Sequence, residues 1–329
     1  MINFRTVFDI PACDFPINYD SKVMLIGSCF SDNIGQKLKK LKFEVLSNPY
    51  GVLYNPYSIQ EVFNHLLGHR KLDEKDLVQH SGLWHSYLHH GSFSESDKSV
   101  LLEKIETVRQ ESVEFLKKAD FLFITFGTAW VYELNTSKRI VSNCHKVPAK
   151  EFKRFRLASC DITDEFGMLL QRLEELNPKL KVIFTLSPIR HLKDGPVENT
   201  LSKSLLSVSI HELVNSFTQC DYFPSYELVM DDLRDYRFYA EDMTHLSTQA
   251  IEYIFERFSN AFFKKETVSQ MKQIEKLQKA IAHRPFNPET DTHQKFLLNT
   301  KEGITAILKK FPNQNWDHEL EIIEKQIVK

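Results

Sequence analysis

An α/β fold, with a mainly parallel sheet covered by helices on both faces, is predicted by three observations. Short, nearly unbroken apolar runs recur at residues 23–26, 121–125 and 182–186, and runs without alternation read as strands buried on both sides. Amphipathic segments of helical period separate them, the pattern of a parallel sheet. The runs end in small or polar residues, Gly27-Ser28-Cys29, Gly127-Thr128 and Ser187-Pro188. In such sheets ligands gather at the carboxyl edge.

Residues 1–20 hold Pro11 and Pro16 and few helix formers, an extended lead-in. The run at 23–26 meets Gly27, and Ile34, Leu38 and Leu41 follow at helical spacing: strand, tight turn, helix. A second short strand at 42–46 runs into Asn48-Pro49-Tyr50-Gly51-Val52-Leu53-Tyr54-Asn55-Pro56, where two Asn-Pro steps make a rigid loop. Gly51 there either offers its backbone N–H to a ligand or is a plain turn glycine. Helices are expected at 59–67 and 99–118, on either side of a charged and then His-, Ser- and Gly-rich excursion at 70–98. A second excursion, 133–161, contains Asn143-Cys144-His145-Lys146, polar groups suited to a pocket or to a solvated loop. Helices are expected at 163–176 and 203–214, and the last strand at 226–230. Ser247 caps a closing helix at 248–263 with Ile251, Ile254, Phe255 and Phe258 on its apolar side. Residues 266–329, rich in Lys, Gln and Glu, read as a helical extension with helices at 271–282, 296–311 and 320–328. The expected division is an α/β domain over 1–265 and this extension over 266–329.

With 329 residues the chain can bury a large core. Its 42 basic residues nearly balance 44 acidic ones, which gives no argument for a nucleic-acid or membrane-surface partner. No run approaches the roughly 18 apolar residues of a membrane span, and the first residues show no secretory signal. Five widely spaced cysteines without a CxxC pair argue against a disulfide framework and for reduced thiols, hence a cytoplasmic setting. His85 and His89, four apart, would suit a zinc-binding helix face, but the glutamate of HExxH is missing, and an exposed loop is favoured over a metal site there. A metal-dependent hydrolase using His85, His89, His145 or His191 is a third-ranked reading.

Ser28 and Cys29 stand at a strand-to-helix corner, where free backbone N–H groups and the helix dipole favour developing negative charge. More than 200 residues on, Asp242 and His245 are three apart just before the closing helix. That spacing lets the carboxylate hold one imidazole nitrogen while the other faces a nucleophile.

These stretches resemble the GSCFA family, named for a Gly-Ser-Cys-Phe-Ala stretch that stands here as Gly27 to Ser31, with serine last. That family is similar to the SGNH, or GDSL-like, hydrolases, whose order is nucleophile, oxyanion glycine, Gly-x-Asn block and Asp-x-x-His. The similarity runs from about Ser21 to Phe263 and leaves the extension outside. It implies a three-layer α/β/α sandwich with a flavodoxin-like sheet, and an esterase or acyltransferase that needs no metal or other cofactor. Gly27-Ser28-Cys29 would match the first block, Gly51 the second, Gly127-Thr128-Ala129 the third, and Asp242 with His245 the last.

Strict register puts Cys29 in the nucleophile position and Ser28 where those hydrolases carry aspartate; a shift of one residue would make Ser28 the nucleophile. Cys29 is favoured, because a thiol at a helix amino end beside a histidine is expected to be acidic. Ala129 replaces the oxyanion asparagine, leaving Thr128, Asn143 or the backbone amides of residue 29, Gly51 and Gly127-Thr128 to serve. His145 is a further substrate-side candidate. The expected substrate is a small-molecule or carbohydrate ester. The alternative is a glycan- or small-molecule-binding protein on the same scaffold, using aromatic loops at Trp84, Tyr87, Trp130 and Tyr132 without turnover.

Overall fold

The apolar run after Ser21 forms β1 (Lys22–Gly27), the strand from which the rest of the sheet spreads in both directions. The computed structural model describes residues 4–327, in two units. The first comprises residues 4–10, 22–35 and 45–258, and the second residues 11–21, 36–44 and 259–327.

After β1 the chain continues through α1 (Cys29–Lys40), whose residues from 36 on belong to the second unit, then β2 (Glu44–Ser47) and α2 (Pro56–Leu66) to a hairpin of β3 (Leu77–His80) and β4 (Leu83–Ser86). Next come α3 (Lys98–Leu116), β5 (Phe121–Phe126), a small antiparallel sheet of β6 (Trp130–Leu134), β7 (Ile140–Val141) and β8 (Phe152–Arg156), and α4 (Ser159–Leu176). β9 (Lys181–Leu186), α5 (Gly195–Ser216), β10 (Cys220–Phe223), the single turn α6 (Ser225–Glu227) and α7 (Thr248–Phe262) follow. The five-stranded sheet has the order β10-β9-β5-β1-β2, and the β1–β5, β5–β9 and β9–β10 pairings are parallel. This is the α/β architecture expected from the sequence.

The central strands lack alternation because both their faces are covered. Met24, Ile26, Leu122, Ile124, Val182 and Phe184 join one core with the apolar sides of α2, α4 and α5. On the opposite face Phe123 meets Phe258 of α7, with ring centroids 5.3 Å apart. Chain order reverses between β1 and β5, the switch point at which open parallel sheets leave a crevice. Gly27 lies opposite Thr125, and Thr125 opposite Thr185, so the carboxyl ends of β1, β5 and β9 stand side by side. At Gly27, with φ of 138°, a β-carbon would fall 2.3 Å from the Thr125 carbonyl oxygen; only glycine lets the chain leave β1 here.

Two of the elements expected in the α/β domain depart furthest from expectation. Residues 226–230, expected as the last strand, are wound into α6 and a following π-helical turn (Leu228–Asp232). Pro224 ends the ladder after Phe223, Ser225 Oγ bonds to Leu186 O at 2.8 Å, and the adjacent Leu228 and Val229 are both buried, which a half-covered strand does not allow. The helix expected at 203–214 begins eight residues earlier, at Gly195. Pro196 in its first turn fits a helix start, while Asn199, Ser202 and Lys203 interrupt the apolar stripe.

The second unit carries α8 (Lys265–Ala282), α9 (Asp291–Lys310) and α10 (Asp317–Glu324) where three helices were expected. Val328, in the last of those expected helices, and residues 1–3 of the lead-in lie outside the described residues. Within the unit the lead-in joins the end of α7, Ile17 N–H donating to Phe262 O at 2.7 Å. Tyr19 stacks on Phe43 with centroids 4.3 Å apart, and Lys42 reaches both Glu319, at 2.6 Å, and the face of buried Trp316. Among the described residues no helix is long and apolar enough to cross a membrane.

Candidate active site

The β1–α1 corner places Ser28 and Cys29 differently. Ser28 is 1% exposed, and its Oγ accepts the Phe30 amide at 3.3 Å. Cys29, the first residue of α1, is partly exposed. Its sulfur receives the amides of residues 29 and 30, which favour the thiolate, yet burial outweighs them and Asp32 adds to it, so the thiol is pushed above its ordinary value. The acidic thiol expected from the sequence is therefore absent: the helix end helps, but desolvation dominates. Alkylation of Cys29 by iodoacetamide should accordingly rise with pH to a midpoint above the usual thiol value of about 8.5; a midpoint below it would show that the helix end prevails.

The rigid loop beyond β2 is pinned to this corner. Asn48 Oδ1 accepts Gly27 N–H at 2.8 Å, Asn48 Nδ2 donates to Asp32 at 2.6 Å, and Leu53 N–H donates to Gly27 O at 2.8 Å. Gly51 N–H donates to Asn48 O at 2.8 Å, and the His90 side chain occupies the space a Gly51 side chain would need. After β5, the amides of Gly127 and Thr128 both donate to Tyr54 O at 2.8 Å. Thr128 Oγ1 lies 3.2 Å from Ser202 Oγ and accepts Trp130 N–H at 3.2 Å. The amides of Gly51, Gly127 and Thr128 are thus engaged within the protein.

One side of α5 fixes the ends of β5 and β9. Asn199 Oδ1 accepts His191 N–H at 2.9 Å, and Ser202 Oγ accepts Ala129 N–H at 2.8 Å. Lys203 Nζ donates to Gly127 O at 2.7 Å and to Ser187 O at 2.6 Å. Complete burial draws the Lys203 ammonium down to about 7, while the Cys29 thiolate favours its charge. These residues were not found from the sequence. The signal was there: positions 199, 202, 203 and 206 share one helical face, and three of them are polar.

Asp242 and His245 are joined. Asp242 Oδ2 lies 2.6 Å from His245 Nδ1, and Oδ1 accepts the amides of Thr244 at 2.9 Å and His245 at 2.8 Å. These bonds, the imidazole first, hold the Asp242 carboxyl down at about 2. The imidazole is half exposed, and no hydrogen bond links it to Cys29 among the described residues. The turn leans on the loop after β9: Arg190 donates to Met243 O at 3.5 Å, and His245 is within electrostatic reach of His191. Beside it opens a cavity of about 550 Å³ walled by Arg190, Arg234, Tyr226, Tyr236 and Tyr239, a volume in the usual range for small-molecule sites.

The other polar candidates lie in the excursions. Asn143 Oδ1 caps His145 N–H at 2.9 Å, and His145 Nε2 lies 2.7 Å from Ser86 O. His85 Nδ1 pairs with Ser94 Oγ at 2.6 Å, and His89 Nδ1 with Ser86 Oγ at 2.8 Å. Among the described residues no three His, Cys, Asp or Glu side chains gather as a metal-ligand set. Burial pushes His65, His145 and His191 down to about 4 and His89 well below its ordinary value. Below about 6.5 the unfolded chain takes up protons that these folded rings refuse, so stability that is complete above that pH is lost as the pH falls toward about 4. Each well-buried ring contributes on the order of 3 kcal/mol to that loss. Thermal melts from about pH 7 to about pH 4.5 should therefore show a steep fall in Tm; a flat profile would show that the rings titrate normally.

Solved structures to which the chain is similar include a carbohydrate esterase family 3 protein from Talaromyces cellulolyticus, at 10% identity and TM-score 0.37, with 77% of this chain and 98% of that one covered. Another is a carbohydrate esterase family 2 enzyme with a carbohydrate-binding domain from Corynascus thermopiles (Myceliophthora fergusii), at 10% identity and TM-score 0.39, covering 78% of this chain and 68% of that one. No protein of curated function matches the chain. Matched over residues 22–258 by the sequence model of the GSCFA family, and over residues 274–329 by that of the GSCFA domain protein C-terminal domain, the protein belongs to the GSCFA family.

Proposed function

We propose that the chain is an SGNH-type esterase or acyltransferase that acts on an ester, with acylated carbohydrates as the favoured class, in the cytoplasm. The observation that carries the reading is the Asp242–His245 pair, 2.6 Å apart, in a turn that Arg190 of the loop after β9 contacts; β9 pairs with β5, and β5 in turn with β1, at whose end Cys29 stands. A carboxylate-oriented imidazole and a thiol at a helix amino end are the parts acyl transfer needs. The Tyr-lined cavity beside the turn offers rings on which a sugar stacks. No disulfide joins the cysteines among the described residues, which suits a reducing compartment.

In this scheme Cys29 Sγ attacks the ester carbonyl carbon while His245 takes the thiol proton and Asp242 holds the ring. The carbonyl π pair moves onto oxygen, the adduct collapses with loss of the alkoxide, and His245 returns the proton to it, leaving a thioester and an alcohol. Water, for a hydrolase, or a sugar hydroxyl, for a transferase, then attacks the thioester. Its proton passes through His245 to the departing Cys29 sulfur.

The engaged amides of Gly127 and Thr128 favour a second reading, a binding protein that holds a glycan or small molecule without turning it over. Intact-mass analysis after mixing with an aryl acetate or an acetylated oligosaccharide separates the two. An acyl adduct on Cys29 and released alcohol support the enzyme; calorimetric binding of the saccharide with neither adduct nor product supports the binding protein.

A further inference from the structure

We propose that His191 donates, through Nε2–H, the hydrogen bond to the oxyanion that Ala129 cannot supply, an assignment that rests on the acyl-transfer reading above. The Gly51, Gly127 and Thr128 donors expected from the sequence are engaged elsewhere. Gly127 and Thr128 amides go to Tyr54 O, the Gly51 amide to Asn48 O, and Thr128 Oγ1 is taken by Ser202 and Trp130. Asn143 turns its side-chain oxygen to the His145 amide.

His191 follows β9, the neighbour of β5, and its Nε2 lies 3.4 Å from the place where a β-carbon on Gly127 would sit. The ring therefore covers the glycine that closes β5. Its Nε2 is buried and has no hydrogen-bond partner among the described residues. Leaving such a buried group unmatched is unfavourable, and a ligand oxygen would relieve it. The ring is held in advance: the backbone N–H of His191 goes to Asn199, and the Tyr54 ring meets it edge-on with centroids 5.6 Å apart. Burial first, and then the nearby Lys203, His245 and Arg154, keep the imidazole neutral at neutral pH. A neutral ring there donates a hydrogen bond without giving up its proton.

The test uses two reactions of the same thiol. Acylation by p-nitrophenyl acetate passes through an oxyanion; alkylation by iodoacetamide attacks a methylene carbon and does not. In His191→Leu the burst rate of acylation should fall by about 10²- to 10³-fold while alkylation stays within about twofold, and His191→Gln, which keeps a donor, should recover at least about tenfold of the loss. Wild-type acylation with no loss in His191→Leu, equal losses in both reactions, or no recovery in His191→Gln would overturn the assignment alone. A wild-type protein that is alkylated but never acylated would overturn the acyl-transfer reading and this assignment with it.

Discussion

Cys29→Ala should lower kcat/KM for a short-chain aryl ester by about 10⁴-fold or more, while Ser28→Ala keeps it within about tenfold of wild type. The contrast follows from the corner itself. Ser28 is enclosed, 1% exposed, and its hydroxyl accepts the Phe30 amide in the manner of a helix cap. Removing it loosens the first turn of α1, at a cost of about 1 kcal/mol, without taking away a group that reaches substrate. Cys29 is the open member, with its sulfur on the amides of the helix end. Far-ultraviolet circular dichroism on both variants checks that each is folded. The opposite pattern would make Ser28 the nucleophile, and two variants as active as wild type would remove the corner from the chemistry.

What the sequence made legible is what depends on neighbours along the chain or on burial from both sides. The strands β1, β5 and β9 are apolar along most of their length because helices cover both faces, and runs this short without alternation read as buried strands. The Asp242–His245 bond was legible for the same local reason, since three residues of a turn suffice to close it. The acidity of Cys29 was not. It depends on how much protein packs over the corner, and a helix end alone gives the wrong sign. The fate of the Gly51 and Gly127 amides was illegible too, because their acceptors are the carbonyls of Asn48 and Tyr54, and the path of a backbone leaves no residue pattern. The start of α5 was missed because Asn199, Ser202 and Lys203 break the apolar stripe, and they break it because they hold the ends of β5 and β9. His191 entered only as one of four histidines for a metal, and its meaning came from the strand beside it.

His245→Ala should cost about 10²- to 10⁴-fold in kcat/KM near neutral pH, the range for loss of a general base, and the loss should shrink as the pH rises. The reason is the burial of Cys29. A thiol held above its ordinary value is almost wholly protonated at neutral pH, so attack waits for a base to take the proton. In strong alkali the thiolate forms without help, and the variant gains on the wild type. Asp242→Asn should show the same convergence with a smaller loss, because the imidazole remains but loses the carboxylate that orients it and stabilises its cation. Asp242 adds no inflection of its own in this range, since its carboxyl is already held at about 2 by His245 and the two amides. Rate profiles for the three proteins from about pH 6 to about pH 10 decide the matter. A wild-type-to-variant ratio that is constant across the range would mean that His245 does not deprotonate the thiol; a ratio near one throughout would leave the pair as a brace for the turn that carries it.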